Sequence, residues 1–352
     1  MSHTIKILRP SDNAEWHRIT NRLSKVGLMD VYYRSEYINL YAETGRDIVE
    51  AYLYEEGDFF LFFPYIRRAW VHGNDTVFDL ETAYGYGGAV ASENHPGHLK
   101  KAWEGFRSYA DDAKIFAGFL RFHPLLKNEQ YHQASFIETQ FLRPTVTLTL
   151  QRSEEEIWQD YHSKVRGKIR KAERSPLQIE EKADIEGLKD FAKVYRSVMN
   201  KLQADDFYLF SDCYFERLAD DMKGSYNLFL AYHESKCVGG LLTLESDRFA
   251  HLHLSAVSKD AQRHGTANLL RHRAICHYLN QKEMFHFGGG TSNLPDDSLL
   301  RFKAGFSKEL AEFHIGKMLL NQDVYNDMCD DWKRENPDRV EEVKHIFLQY
   351  RS

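Results

Sequence analysis

Two stretches of this chain read alike, and together they limit what it can fold into. VEAYLYEEGDFFLFFPYI, from Val49, is a β-rich run, a polar Glu-Glu-Gly-Asp turn and a second β-rich run. LFLAYHESKCVGGLLTL, from Leu228, repeats the arrangement with His-Glu-Ser-Lys at the turn. Aromatic and branched residues flanking a short polar turn predict a β-hairpin. Single cores stop growing beyond ~250–300 residues. Two such hairpins in a chain of 352 residues therefore predict two copies of one α/β unit in tandem.

The boundary falls at Pro144. TVTLTL (Thr145 to Leu150) alternates as a strand does, and SEEEIWQDY after it opens a helix with Ser153 as N-cap and Glu156 at the capping-box position. The expected domains are residues 1–144 and 145–352; one large domain with a long insertion is the alternative. In the second domain the patterns predict a strand (145–150), helices (154–173, 184–202, 212–223), a hairpin (227–245), a strand (249–257), a helix (265–281), a strand (284–288), a helix (297–305) and a strand (309–318). Mostly antiparallel strands with helices on both faces belong to the α/β or α+β class.

Composition narrows the function classes. With 43% hydrophobic and 14% aromatic residues the chain can fill packed cores. A formal charge of -6 excludes a protein that coats nucleic acid with its whole surface. Cys213, Cys237, Cys276 and Cys329 form no CxxC pair, so neither a zinc ribbon nor a disulfide framework is expected. The N-terminus has no apolar stretch of signal-peptide type, and the greasiest run, FFLFFPYI, is bounded by Asp58 and Arg67. The expectation is a soluble, cytoplasmic protein with no membrane insertion.

Two segments invite an anion. In HFGGGTSNLPDDSLLRFKAGFS, from His286, three glycines suggest a phosphate cradle, but they end a strand and no helix N-terminus follows at once. KDAQRHGTANLLRHRAICHYL, from Lys259, directly follows the strand AHLHLSAV and turns at Gly265 into a helix. Unpaired N–H groups and the positive end of the helix dipole at such a turn suit a pyrophosphate. Gln262, Gly265 and Ala267 fit the pattern Q/R-x-x-G-x-G/A. A glycine before a helix is also an ordinary turn, and it is the placement between strand and helix that adds weight.

LAYHESKCVGGLLTL, HLHLSAV, QRHGTA with its helix and FKAGF resemble the core of the GNAT acyltransferase superfamily. KVRGKIRKAER, FYLFSDCYFERL, FGGG, LLRFKAGF and the first-half YGYGG resemble its Fem-like branch more narrowly. That branch has tandem GNAT-like domains. It includes aminoacyl-tRNA-dependent ligases that build peptidoglycan cross-bridges, and acyltransferases associated with cell-envelope polysaccharides. The resemblance covers most of the chain. It implies a degenerate, acceptor-side first domain and a catalytic second domain with mixed, mostly antiparallel sheets.

In such enzymes an amine attacks an acyl carbonyl, so two substrates must be placed, a proton removed and an oxyanion stabilised. The resemblance implies that the loop carrying Gln262, Gly265 and Ala267 binds the pyrophosphate of acyl-CoA. It also implies that HLHLSAV splays from MFHFG, placing Ser255 to Val257, and so both Ser255 and Val257, near the reacting thioester. GNAT enzymes often place a tyrosine in the helix before GF to protonate the leaving thiolate; here Arg301, Phe302 and Lys303 occupy that helix. In Fem-like ligases a lysine matching Lys303 matters, and its cation would face the oxyanion or the leaving group.

KVRGKIRKAER sets Lys164, Lys168 and Lys171 on one helix face and Arg166, Arg170 and Arg174 on another, leaving Val165 and Ile169 to pack. A solvated face is the plain reading; contact with phosphates of a tRNA or of a nucleotide-linked acceptor, through Arg166 and Arg170, is the other. Tyr84 and Tyr86 of YGYGG, and Tyr208, are candidate acceptor contacts. His251 and His253 alternate on one strand, yet His272 and His277 are five apart, so packing is expected and no metal. Asp296 and Asp297 precede the Lys303 helix as caps, or as a general base.

The leading expectation is an N-acyltransferase moving an acyl group from acyl-CoA to an amine of a cell-envelope polysaccharide or peptidoglycan precursor. The alternative donor is aminoacyl-tRNA, and the alternative to an enzyme is a carbohydrate- or partner-binding module.

Overall fold

The computed structural model describes residues 3–203, 208–294 and 296–352. By internal contacts the chain divides into one unit of Met1–Leu142 with Glu312–Ser352 and a second of Arg143–Ala311. This differs from a single cut at 144 in one respect. The C-terminal segment belongs to the first unit, because helix Gln322–Glu335 packs Met328, Cys329 and Trp332 with Val77, Phe116 and Ala117.

In the first unit, β1 (Thr4–Leu8), β2 (Asp47–Glu56), β3 (Phe59–His72), β4 (Asp75–Glu81) and β6 (Ile115–Arg121) lie side by side in that order, and the short β5 (Val90–Ala91) pairs with β3. The last strand of the chain, Glu309–Leu319, returns to pair with β6 from Ile315 onward. The pair β4 and β6 is parallel, and the others are antiparallel. The predicted hairpin forms with Glu56 opposite Phe59, leaving Gly57 and Asp58 as the turn, with Gly57 at φ +63°. Helix Pro96–Asp112 buries Leu99, Trp103 and Phe106 against Phe63 and Tyr65.

In the second unit the strands are β7 (Ile137–Thr149, which enters from the first), β8 (Gln178–Glu181), β9 (Tyr226–His233), β10 (Lys236–Glu245), β11 (Phe249–Val257) and β12 (Met284–Gly289). Their order is β7, β12, β11, β10, β9, β8, and only β11 with β12 is parallel. The hairpin β9–β10 turns at Glu234 and Ser235, both at positive φ, the backbone that a two-residue hairpin turn needs. β8 has no counterpart in the sequence reading, because QIEE is short, polar and at an edge.

One predicted helix is broken. The stretch 154–173 becomes Glu154–Asp160, with the expected capping box at Ser153 and Glu156, and Ser163–Glu173. The break occurs because Tyr161 turns inward, buried against His272 and Phe306. Arg166 then satisfies the helix-end carbonyls of Gln159 and Tyr161 through Nη1, at 2.7 and 2.6 Å. The predicted helix 265–281 forms as Thr266–Tyr278, with Gly265 at φ +88° ahead of it, and a short helix, Lys259–Gln262, precedes that turn. Among the described residues no helix is long and apolar enough to cross a membrane.

Candidate functional site

β11 and β12 begin as neighbours and then part. Their pairing runs from Phe249 and Met284 to His251 and His286 and stops there. Each strand carries one extra residue at this point: the register of β11 on β10 skips His253, and that of β12 on β7 skips Phe287. A bulge bends a strand and raises its twist, so two opposed bulges open a wedge whose walls are Leu252 to Val257 and Phe287 to Gly289. His253 is drawn down to about 3 by burial and is therefore neutral, 2.7 Å from the hydroxyl of Tyr214.

Beyond the wedge the three glycines have separate tasks. Gly288 sits at φ +77°, the Gly289 carbonyl accepts from Lys303 Nζ at 2.7 Å, and a Cβ on Gly290 would lie 2.3 Å from Asp297 Oδ1. None of these is a phosphate cradle. Asp297 caps helix Ser298–Ala304 through the Leu300 N–H at 2.8 Å, and its other oxygen accepts from Thr291 and Ser292. These donors, the Leu300 N–H first and then the hydroxyls and N–H groups of Thr291 and Ser292, hold the carboxyl well below the usual range, so Asp297 is a structural anion and a poor general base.

Lys303 is only 7% exposed. Burial pulls its ammonium down most, Arg271 and Arg143 add repulsion, and Asp297 offsets part of it, so the group titrates at about 7. Arg271 is 4% exposed and donates to Ala267 O at 2.9 Å and Ser255 Oγ at 3.0 Å, while its guanidinium lies over the Phe302 ring. Its Nε finds no acceptor among the described residues, and burial alone lowers it to about 10. Arg143 donates to the Gly290 carbonyl at 2.8 Å, and its Nε is also buried without an acceptor. The site thus gathers three cations around one carboxylate.

Most of the residues expected at the donor site meet here. Gln262 donates to the Val257 carbonyl at 3.0 Å, tying the loop to the end of β11. A Cβ on Gly265 would lie 2.3 Å from the Lys168 carbonyl, so the close approach of helix Ser163–Glu173 demands glycine as much as the left-handed φ does. Ala267 stands in the first turn of helix Thr266–Tyr278, where N–H groups lack acceptors within the helix. Ser255 joins Arg271 to the wedge, and Arg271 joins the loop to the Lys303 helix.

The other expected contacts lie elsewhere. Arg166 caps the preceding helix and Arg170 stacks over Trp158 at 5.5 Å, so neither reaches the loop; Lys171 does, donating to Arg263 O at 2.7 Å. Tyr84 and Tyr86 belong to an aromatic cluster of the first unit with Tyr32, Tyr37, Tyr41 and Phe313. Tyr208 is exposed, beside residues 204–207, which lie outside the described residues. His251 and His286 pair with each other at 3.3 Å, and His286 reaches Thr145 Oγ1.

Residues 159–303 match the acetyltransferase (GNAT) domain family. This stretch is similar to a GNAT domain. The loop at Gln262, the wedge and Lys303 all lie within it. A crystal structure of FemX shares the fold of the chain as a whole, with a TM-score of 0.72 at 13% identity over 93% of this chain and 99% of that one. A tandem GNAT protein from the clavulanic acid biosynthesis pathway has a TM-score of 0.54 at 8% identity over 91% of this chain and 99% of that one. The C-terminal domain of an Agrobacterium fabrum protein described as a lysylphosphatidylglycerol synthetase has a TM-score of 0.53 at 14% identity, covering 93% and 97%. These likenesses are ones of fold. No curated protein matches the sequence.

Proposed function

We propose that this protein transfers an acyl group from acyl-CoA to an amine of a cell-envelope polysaccharide or peptidoglycan precursor. The observation that carries the reading is the wedge between β11 and β12, with an anion-suited loop at the end of one wall and Lys303 bonded at the end of the other. In it the thioester carbonyl would meet N–H groups on the open edge of β11, which stabilise the oxyanion as the amine attacks. Lys303 would face the leaving thiolate in the place where a tyrosine is absent. Tyr84, Tyr86 and Tyr208 are the proposed acceptor contacts, with Arg166 and Arg170 secondary to Lys171. The envelope assignment rests on the Fem-like motifs and on the fold shared with FemX.

Isothermal titration tests the donor. Coenzyme A and acetyl-CoA are expected to bind the wild type, and Ala267→Glu is expected to weaken them at least about tenfold. A carboxylate in the first turn suits the helix dipole but repels a pyrophosphate, and an unchanged unfolding midpoint separates the loss of binding from a loss of fold. Absence of binding to the wild type would sink the acyl-CoA reading.

One observation favours a second donor, aminoacyl-tRNA. A buried guanidinium with no carboxylate partner among the described residues, Arg271, is costly, and the neutral pantetheine arm of acyl-CoA would leave it so, whereas an RNA 3′ end brings phosphates. Incubation with charged tRNA and a muropeptide precursor is then expected to give transfer that Arg271→Gln lowers by about 10- to 100-fold, roughly the 1.5–3 kcal/mol of a hydrogen bond to a charged group. Transfer from charged tRNA that is indifferent to Arg271→Gln would remove the ground for preferring that donor.

A further inference from the structure

Helix Thr266–Tyr278 presents a second set of reactive side chains that the transfer chemistry above does not use. His272 and Cys276 are four residues apart and so share one helix face. Glu154, the first residue of helix Glu154–Asp160, brings a carboxylate to the same place. His272 Nε2 lies 3.8 Å from Glu154 Oε1, Cys276 Sγ lies 3.6 Å from His272 Nδ1 and 3.8 Å from Nε2, and one ligand atom of each of the three groups lies within 4.8 Å of the others.

These spacings match the geometry of a small tetrahedral ion. Bonds of about 2.0–2.1 Å to nitrogen, 2.3 Å to sulfur and 2.0–2.2 Å to oxygen place neighbouring ligand atoms roughly 3.4–3.6 Å apart. The histidine contacts need to close by only a few tenths of an ångström, and the exposed glutamate is free to swing inward. The ring nitrogen turned from Glu154 has a partner: the Tyr161 hydroxyl lies 3.4 Å from His272 Nδ1, and the Trp158 ring packs against the imidazole at 5.3 Å. A metal-bound histidine is ordinarily oriented by such a partner on its other nitrogen.

We propose that Glu154, His272 and Cys276 form a binding site for a zinc-class divalent cation, with the fourth position open to water. Thiolate and imidazole together favour zinc or cobalt over magnesium or calcium. Binding exchanges the thiol proton for the metal: the S–H bond breaks, the thiolate takes the cation, and one proton leaves to solvent. The ion would pin the helix that carries Ala267 and Arg271 to the first helix of the unit, and so steady the donor loop without entering the reaction.

The full chain, stripped with a chelator and dialysed, would be titrated with cobalt(II). A thiolate-to-cobalt charge-transfer band with tetrahedral ligand-field bands is expected to saturate near one equivalent and to collapse when zinc is added. The band should disappear in Cys276→Ser and persist in Cys213→Ser, whose cysteine is exposed and distant in sequence. Glu154→Gln alters an exposed side chain and so preserves the fold; it should weaken cobalt at least about tenfold. A wild type with no charge-transfer band, a band that survives Cys276→Ser, or unchanged affinity in Glu154→Gln would overturn the site. None of these outcomes bears on acyl transfer, because no ligand here belongs to the wedge.

Discussion

Replacing Lys303 by methionine is expected to slow transfer by about 10²–10³-fold, the usual cost of removing one donor to a developing charge, while making the fold harder to denature. Both effects come from burial. The lysine ionises at about 7 in the folded state, against 10.5 for a free side chain. Below pH 7 both states hold the proton, and the fold bears the whole cost of burying an ammonium. Between 7 and 10.5 the unfolded chain binds more protons, so stability rises with pH until the cost is gone. That cost is at most about 5 kcal/mol, and losing the bond to the Gly289 carbonyl returns roughly 1–3 kcal/mol of it. A net gain of about 2 kcal/mol is expected at pH 6, shrinking and then reversing by pH 10. Urea unfolding at the two pH values checks it; a variant less stable than the wild type at pH 6 would contradict the buried cation. In the wild type, transfer that depends on the cation should fall as pH rises through 7.

The second large effect lies in the first unit, at the chain's end. Arg351 donates to both oxygens of Asp79, at 2.7 and 2.6 Å, and pairs with Glu81. Asp79 is wholly buried in β4, and Tyr350 supplies its other side-chain bond. Arg351→Ala should therefore cost about 3–5 kcal/mol, because it leaves a buried carboxylate without its cation. Arg351→Lys keeps the charge but loses the two-pronged geometry and should cost less. Denaturant unfolding of the full chain measures both, and a loss under about 1 kcal/mol for Arg351→Ala would show that Asp79 finds another partner.

How far the site could be read from the sequence depended on the range of the interaction. The loop at Gln262, Gly265 and Ala267 was legible because strand, turn and helix follow one another directly. Lys303 was legible through its neighbours, RFKAGF. Arg271 was not, although a signal was present: TANLLRHRAICHY has apolar residues on all its faces, so an arginine in it must be buried and must meet something. Arg143 gave no signal, since only the return of β12 beside β7 brings it to Gly290. His272 and Cys276 were passed over because spacing was judged between histidines alone.

The missed helix break has a physical cause. An apolar period does not reveal where a large side chain will turn inward, as Tyr161 does. The same break at Tyr161 gives Arg166 helix-end carbonyls and Arg170 the Trp158 ring as partners, which the helix period alone did not indicate.

What the sequence by itself determined was local: hairpins where β-rich runs meet a polar turn, a capped helix at Ser153, a glycine turn ahead of a helix, and a lysine in a short helix behind three glycines. These follow from backbone geometry and side-chain pattern within a few residues. Only the tertiary structure decided that β11 and β12 part after His251, that the last forty or so residues close the first unit, and that Lys303 loses its proton near 7. Each of these depends on which distant groups exclude water from one another, and no short window of sequence contains that.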